Sequence, residues 1–316
     1  MSITELEPVV QSESQAAFGI WAPAVTPLDQ DLAPDPGRFA THVQWLLDNG
    51  CHGVAVFGTT GEANSFSVDE RIALLDASLE AGIPAERLMV GTGCCALTDS
   101  VRLTRHAVDS GCNRVLMLPP FYYKGVSDEA LLASYAEVID RVGHDALSVF
   151  LYHFPRLSGV AITTGLVERL LASPYANVIT GIKDSSGDPE GTRTFITRFP
   201  GLAVFPGTET LLLAGLESGG AGCITASANV NVPAIRRVYD AWSSSSAETA
   251  GLQDVISAQR AALQSQPMIP TLKRLLAQAL GDTAWLAMRP PMLPTGQGEA
   301  AEQDAALAAA GFTFGA

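Results

Sequence analysis

Lys183 ends the run Val178-Ile179-Thr180-Gly181-Ile182, a β-branched, apolar stretch that reads as a buried strand. An ammonium there costs roughly several kcal/mol unless it is paired or gives up its proton. The chain holds only three lysines, Lys124, Lys183 and Lys273, against 16 arginines, so positive charge for its own sake is supplied by Arg. In a strand of period two, Ile179, Gly181 and Lys183 share one face, and the small Gly181 leaves room for a ligand beside the amine. A desolvated, neutral lysine is a nucleophile towards ketones. The protonated Schiff base it forms withdraws electrons from the adjacent carbon, so an enamine forms without a metal. The plain alternative is a lysine salt-bridged to Asp184.

Two further groups fit that chemistry. In Gly58-Thr59-Thr60-Gly61-Glu62 the glycines Gly58 and Gly61 let backbone N–H groups converge. The amides and hydroxyls of Thr59 and Thr60 then form a nest for a small carboxylate. No Gly-Lys-Ser/Thr follows, so this is not a phosphate loop. Tyr152 closes the β-rich run before that of Lys183, where a phenol can relay protons to a substrate. Thr59 is a candidate hydroxyl partner, and Tyr122 or Tyr123 could extend the relay. His153 points to the opposite strand face and reads as packed and hydrogen-bonded. Arg156 follows Pro155 in a loop, where a guanidinium could grip a carboxylate on a second substrate.

The elements that must position these groups alternate regularly. Short β-rich runs begin near residues 19, 53, 87, 114, 148, 178, 203 and 221, and amphipathic stretches of helical period separate them. Ser67 with Glu70 reads as a capping box, Ser127 as a helix start, and Gly50, Gly82, Gly111 and Gly143 as helix ends. Strands alternating with helices imply a parallel sheet, and eight units imply an α/β fold closed into a (β/α)8 TIM barrel. Chemistry in such a barrel sits where strands end, which is where Thr59, Tyr152 and Lys183 fall. Ile224, in the eighth run, completes the candidate binding set. We expect the barrel over residues 18–230, a C-terminal helical extension packed beside it over 231–316, and a flexible leader over 1–17.

Composition limits the partners. The chain has 316 residues, 47% apolar and 16% charged, with net charge −14. Such a charge disfavours nucleic acid and anionic membranes. No apolar run approaches the roughly 18 residues of a membrane span, and residues 1–17 lack the features of a signal peptide. Five cysteines without C-x-x-C spacing read as buried free thiols in a reducing cytoplasm. No His/Asp/Glu cluster has ligand spacing, so no metal is expected.

Gly58–Glu62, a Tyr-x-x-Pro at Tyr152–Pro155 and "GIKDSSG" around Lys183, in this order and spacing, resemble the dihydrodipicolinate synthase/N-acetylneuraminate lyase family across nearly the whole chain. The resemblance implies a (β/α)8 barrel with a helical extension, a homotetramer built as a dimer of dimers, and class I chemistry on pyruvate or another 2-oxo acid with no cofactor. By position, Lys183 is then the Schiff-base lysine and Tyr152 the proton-transfer phenol. Thr59 and Thr60 hold the substrate carboxylate, and Tyr123, which aligns best, or its neighbour Tyr122 is the tyrosine lent across the dimer interface.

Departures bear on specificity. The synthases follow strand five with Tyr-Asn-x-Pro-x-Arg-x-Gly, whereas this chain has Leu157 at the arginine position and Arg156 one residue earlier. That resembles the lyase-type ending Pro-x-Leu-Ser-Gly. The Asp-Glu pair of the sialic-acid lyases becomes Thr208-Glu209, and their serine after strand eight aligns with Ala226. Arg156 and Glu209 are therefore the expected acceptor-side contacts. The leading reading is a lyase cleaving a 2-oxo-3-deoxy acid to pyruvate and an aldehyde. A 4-hydroxy-tetrahydrodipicolinate synthase, a 2-oxo-3-deoxy acid dehydratase and a non-catalytic 2-oxo acid sensor are the alternatives.

Overall fold

A computed structural model describes residues 18–315; the expected leader over 1–17 lies outside the described residues. Eight strands form where alternation placed them: β1 (Gly19–Pro23), β2 (Gly53–Val56), β3 (Leu88–Gly91), β4 (Arg114–Met117), β5 (Ser148–His153), β6 (Ile179–Asp184), β7 (Ala203–Pro206) and β8 (Gly222–Ile224). All neighbours pair in parallel in the order β7-β6-β5-β4-β3-β2-β1-β8. The amide of Ala221 donates to Val204 C=O at 2.9 Å and brings β8 back to β7, closing a TIM barrel.

Helices start and stop for local reasons. Ser67 and Glu70 make a reciprocal capping box for the helix Val68–Glu80. Ser127 caps Asp128–Val142, which ends on Gly143 in the left-handed conformation at φ 59°. Each helix turns its apolar stripe onto the strands. Val54, Val90, Val115, Leu151 and Val204 point outwards to meet it, and Trp21, Met89, Leu116, Phe150 and Phe205 fill the interior. Among the described residues no helix is long and apolar enough to cross a membrane. All five cysteines are free, but only Cys51, Cys112 and Cys223 are buried; Cys94 is half-buried and Cys95 exposed on the loop after β3, a departure from the expected set.

The helix Ala228–Ser243 straddles residue 230 and packs on β1, so it completes the barrel. Asn229 in its first turn donates to Pro23 C=O at 2.9 Å and accepts from the Val25 amide at 3.0 Å and from His42 at 2.9 Å. Helices Thr249–Leu263, Met268–Leu280 and Gln297–Ala309 then form a second apolar cluster around Leu263, Leu272, Leu276, Trp285 and Leu307. Arg289 ties the extension to the loops after β1 and β2, donating to Leu32 C=O at 2.8 Å and to Ser65 C=O at 2.6 Å, and pairs with Glu70 in the first turn of the helix Val68–Glu80. The guanidinium holds the Glu70 carboxyl down to about 2.

Candidate active site

The candidate groups converge at the carboxyl ends of the strands. Lys183 and Tyr152 are directly paired across β6 and β5, and both point inwards. Lys183 is 4% exposed, and its Nζ lies 4.4 Å from the centroid of the Tyr152 ring. The Tyr152 hydroxyl is 3.2 Å from Thr59 Oγ1, so residues 93 apart in sequence form one hydrogen-bonded pair.

Asp184 does not neutralise the amine. Alternation turns it to the outer face, where it accepts from the Ser186 amide at 2.8 Å and from Thr192 Oγ1 at 2.5 Å, with His153 Nε2 at 3.9 Å. Among the described residues no carboxylate lies within 4.0 Å of Lys183 Nζ. His153 is packed on that outer face, as alternation requires. Its Nδ1 accepts from the Ile162 amide at 2.9 Å, and burial lowers its pKa despite Asp184.

The shared face expected for Ile179, Gly181 and Lys183 is half right. A register shift between Val149 and Phe150 sets an extra β6 residue against β5, so Ile179 joins the outer layer. Nor does Gly181 leave room for a ligand. A Cβ there would stand 2.3 Å from the Phe150 ring and 2.6 Å from Ala203 C=O. The glycine exists to seat Phe150 beneath the lysine.

Lys183 and Tyr152 open into a cavity of about 890 Å3, whose wall includes Thr59, Thr60, Ile224 and Arg156. Gly58 and Gly61 are not part of that wall, a correction to their expected substrate contact. Gly61 backs onto β1, where a Cβ would lie 2.8 Å from Ala24 C=O, and its own carbonyl takes the Thr26 hydroxyl at 2.8 Å. Gly58 C=O accepts the Ala63 amide at 3.2 Å. The two glycines shape the turn, and the threonines face the cavity. Glu62 closes it at φ 58°, with its amide bonded to Thr59 C=O at 3.0 Å.

Glu209 also departs from expectation. It is fully buried behind the wall, with its carboxylate spent on Thr225, Ser227 and Arg260. Tyr123 is 74% exposed, edge-on to Tyr122, and outside the cavity of its own chain. Sequence reasoning missed the contribution of the extension, which was expected beside the barrel. Arg260 and Gln264, on and just beyond the helix Thr249–Leu263, reach the cavity wall, as does Met268. The only sequence signal was a polar pair four residues apart at the end of an amphipathic stretch. Among the described residues no group of three or more His, Cys, Asp or Glu is placed to hold a metal ion.

These features define a TIM barrel whose cavity is organised around a lysine. The chain belongs to the dihydrodipicolinate synthetase family, whose model matches residues 16–310. It is 37% identical over 293 residues to an uncharacterised DapA-like lyase of Chloroflexus aurantiacus, covering 91% of this chain and 95% of that one. It is similar to the crystal structure of dihydrodipicolinate synthase from Agrobacterium tumefaciens, at 30% identity and a TM-score of 0.84 over 92% of this chain and 99% of the other. YagE, a prophage protein of the same family from E. coli K12 solved in complex with pyruvate, matches at 26% identity and a TM-score of 0.85, over 94% and 99% of the two chains.

Proposed function

We propose that this chain is a class I lyase that forms a Schiff base between Lys183 and a 2-oxo acid and reversibly cleaves the C3–C4 bond of a 2-oxo-3-deoxy acid. The observation that carries this reading is the buried, unpaired Lys183 over the ring of Tyr152, whose hydroxyl meets Thr59. Thr59 and Thr60 hold the C1 carboxylate. Among the described residues their amides have no hydrogen-bond partner in the chain, which leaves them free for an anion.

Lys183 adds to the C2 ketone, Tyr152 protonates the carbinolamine oxygen, and water leaves to give the imine. Tyr152 then takes the C4 hydroxyl proton through the relay with Thr59. The C3–C4 bond breaks, an aldehyde departs, and the bonding electrons remain as an enamine. Protonation at C3 and addition of water release pyruvate and restore the amine. No metal or cofactor is needed for any step. On this reading the protein is a cytoplasmic homotetramer, and the exposed Tyr123 of one copy serves the site of its neighbour.

Leu157 is exposed on the short helix Pro155–Ser158, at the position where the synthases carry their arginine, which favours cleavage of a sugar-acid type substrate over condensation with aspartate semialdehyde. Pyruvate with borohydride tests the core of the proposal. Reduction of the imine should add a stable mass to Lys183, and Lys183→Ala should neither acquire it nor turn over. A folded wild-type protein that never acquires the adduct would refute the reading.

A further inference from the structure

His153 stands next to Tyr152 and takes no part in the steps above. It pairs with Asp184 across β5 and β6, one register position beyond Tyr152 and Lys183. Alternation turns the two pairs to opposite faces, so His153 acts from behind the wall that carries the site. What it holds there is a loop. Residues 154–163 leave β5, form the short helix Pro155–Ser158 and end at the cap of the helix Thr164–Leu171. Phe154, Arg156 and Leu157 from this loop line the cavity.

The loop returns to His153, whose Nδ1 accepts the Ile162 amide at 2.9 Å. Lys124 donates to Ser158 C=O, and Thr163 Oγ1 donates to Asp128 at 2.6 Å, so other ties come from the loop and helix after β4. Ile162 is 1% exposed. A buried amide without its acceptor is unfavourable, so losing the bond to His153 drives the loop to move until that N–H is satisfied.

An acceptor at Nδ1 fixes the tautomer: the ring is neutral and its proton sits on Nε2, 3.9 Å from Asp184 Oδ1. Protonation puts a second N–H at Nδ1, facing the Ile162 N–H, and the charged ring cannot keep that bond. Its other partner is already in place, because Asp184 is a carboxylate. The remaining neighbours are uncharged. The helix Pro189–Arg198 presents the Phe195 ring, edge-on with centroids 5.5 Å apart, and Thr192, which donates to Asp184 Oδ2. The loop's own Arg156 is exposed and faces the cavity. Burial holds His153 below the usual histidine range against the pull of Asp184, so the ring is neutral at pH 7 and charges on acidification.

We propose that His153 is a positioning residue for the acceptor side of the cavity: as a neutral ring it clasps the loop bearing Arg156 and Leu157 through Ile162, and as a charged ring it releases that loop and turns to Asp184. Acid then weakens the grip on whatever part of the substrate lies beyond the pyruvate carbons and spares capture of pyruvate itself. The proposal rests on the Schiff-base reading and adds to it a residue that controls the acceptor.

Two variants separate the states of the ring. His153→Asn keeps an acceptor in the place of Nδ1 and cannot titrate, whereas His153→Phe keeps a ring and removes the acceptor. Hydrogen exchange of residues 154–163, corrected for the intrinsic effect of pH, is followed by mass spectrometry from pH 8 to pH 4.5, with the β4 segment as the control for global opening. In the wild type the loop should exchange about tenfold faster at the acid end, the loss of one hydrogen bond. His153→Asn should stay protected throughout, and His153→Phe should exchange fast throughout. On the same proteins, half-saturation of the cyanoborohydride-trapped adduct is measured for 2-oxohexanoate relative to pyruvate. That ratio should rise about tenfold in His153→Phe at neutral pH and in the wild type on acidification, and His153→Asn should hold the neutral wild-type value. If His153→Phe does not fold, the wild-type pH series against His153→Asn carries the test. A wild-type loop equally protected across the range, or a ratio that neither acid nor His153→Phe changes, overturns the proposal. Absence of any pyruvate adduct on the folded protein refutes the Schiff-base reading instead, and the exchange data then judge the clasp by themselves.

Discussion

Glu62 Oε1 and Lys273 Nζ meet at 2.5 Å with neither side chain exposed. Lys273 also donates to Ala287 C=O at 2.9 Å, and burial lowers its pKa against the opposing pull of Glu62. The pair joins the residue that closes the Thr59–Thr60 turn to the helix Met268–Leu280 of the extension. Removing one partner strands a buried charge, at about 3–5 kcal/mol. Lys273→Met should lower the urea midpoint accordingly and raise the KM for the 2-oxo acid. Glu62→Gln/Lys273→Met should recover much of the stability. A single variant as stable as the double would contradict this account.

Tyr152→Phe keeps the ring beneath Lys183 and removes only the proton carrier. We expect kcat to fall by about 10²-fold or more, in the range of lost general acid–base catalysis. Thr59→Val, which deletes the hydroxyl 3.2 Å from that phenol, should reduce kcat by about tenfold. Steady-state pyruvate release measures both, and a Tyr152→Phe enzyme with undiminished kcat would remove the phenol from the mechanism.

Gly181→Ala tests the seat of Phe150. The new methyl would overlap the ring and Ala203 C=O, and overpacking of this kind destabilises by about 1–3 kcal/mol. Lys183 lies two residues on, so kcat should fall as well. Phe150→Leu in the same chain should relieve part of the loss, and thermal unfolding of the single and double variants reads this directly.

Neutral histidines held in the fold, His42 buried and His52 half-buried, make it acid-sensitive. Burial lowers His42 to about 4 although its bond to Asn229 pulls the other way, and His52, whose Nδ1 accepts from the Ile20 amide at 2.9 Å, is likewise lowered to about 4. Between pH 6.5 and 4 the unfolded chain binds more protons than the folded one. Their contribution is therefore complete above pH 6.5 and is lost as pH falls towards 4, about 3 kcal/mol for His42. Tm measured across that window should decline steadily on acidification. A flat profile would show that these rings are not held neutral.

Local pattern carried the architecture and brought the candidate pair together. β-Branched runs alternating with capped helices announced eight strands, and Tyr152 and Lys183 were legible because adjacent parallel strands end on the same side of a barrel. The register shift beside Val149 was not legible, because a single extra residue leaves composition unchanged while moving Ile179 to the outer layer. Glu209 was misjudged for a related reason. Its position in the chain names the loop after β7, but only packing shows that its carboxylate turns away from the cavity to Arg260.

What the sequence determined by itself is therefore the barrel, its order of strands and helices, and which candidate groups stand at the strand ends. These follow from periodicity and residue type over short spans. Tertiary structure alone decided how the cavity is walled and who meets whom across it: Gly181 with Phe150, Glu62 with Lys273, Glu209 with Arg260. Such pairs lie tens to hundreds of residues apart, and their energies depend on burial and distance, which exist only once the chain has closed on itself.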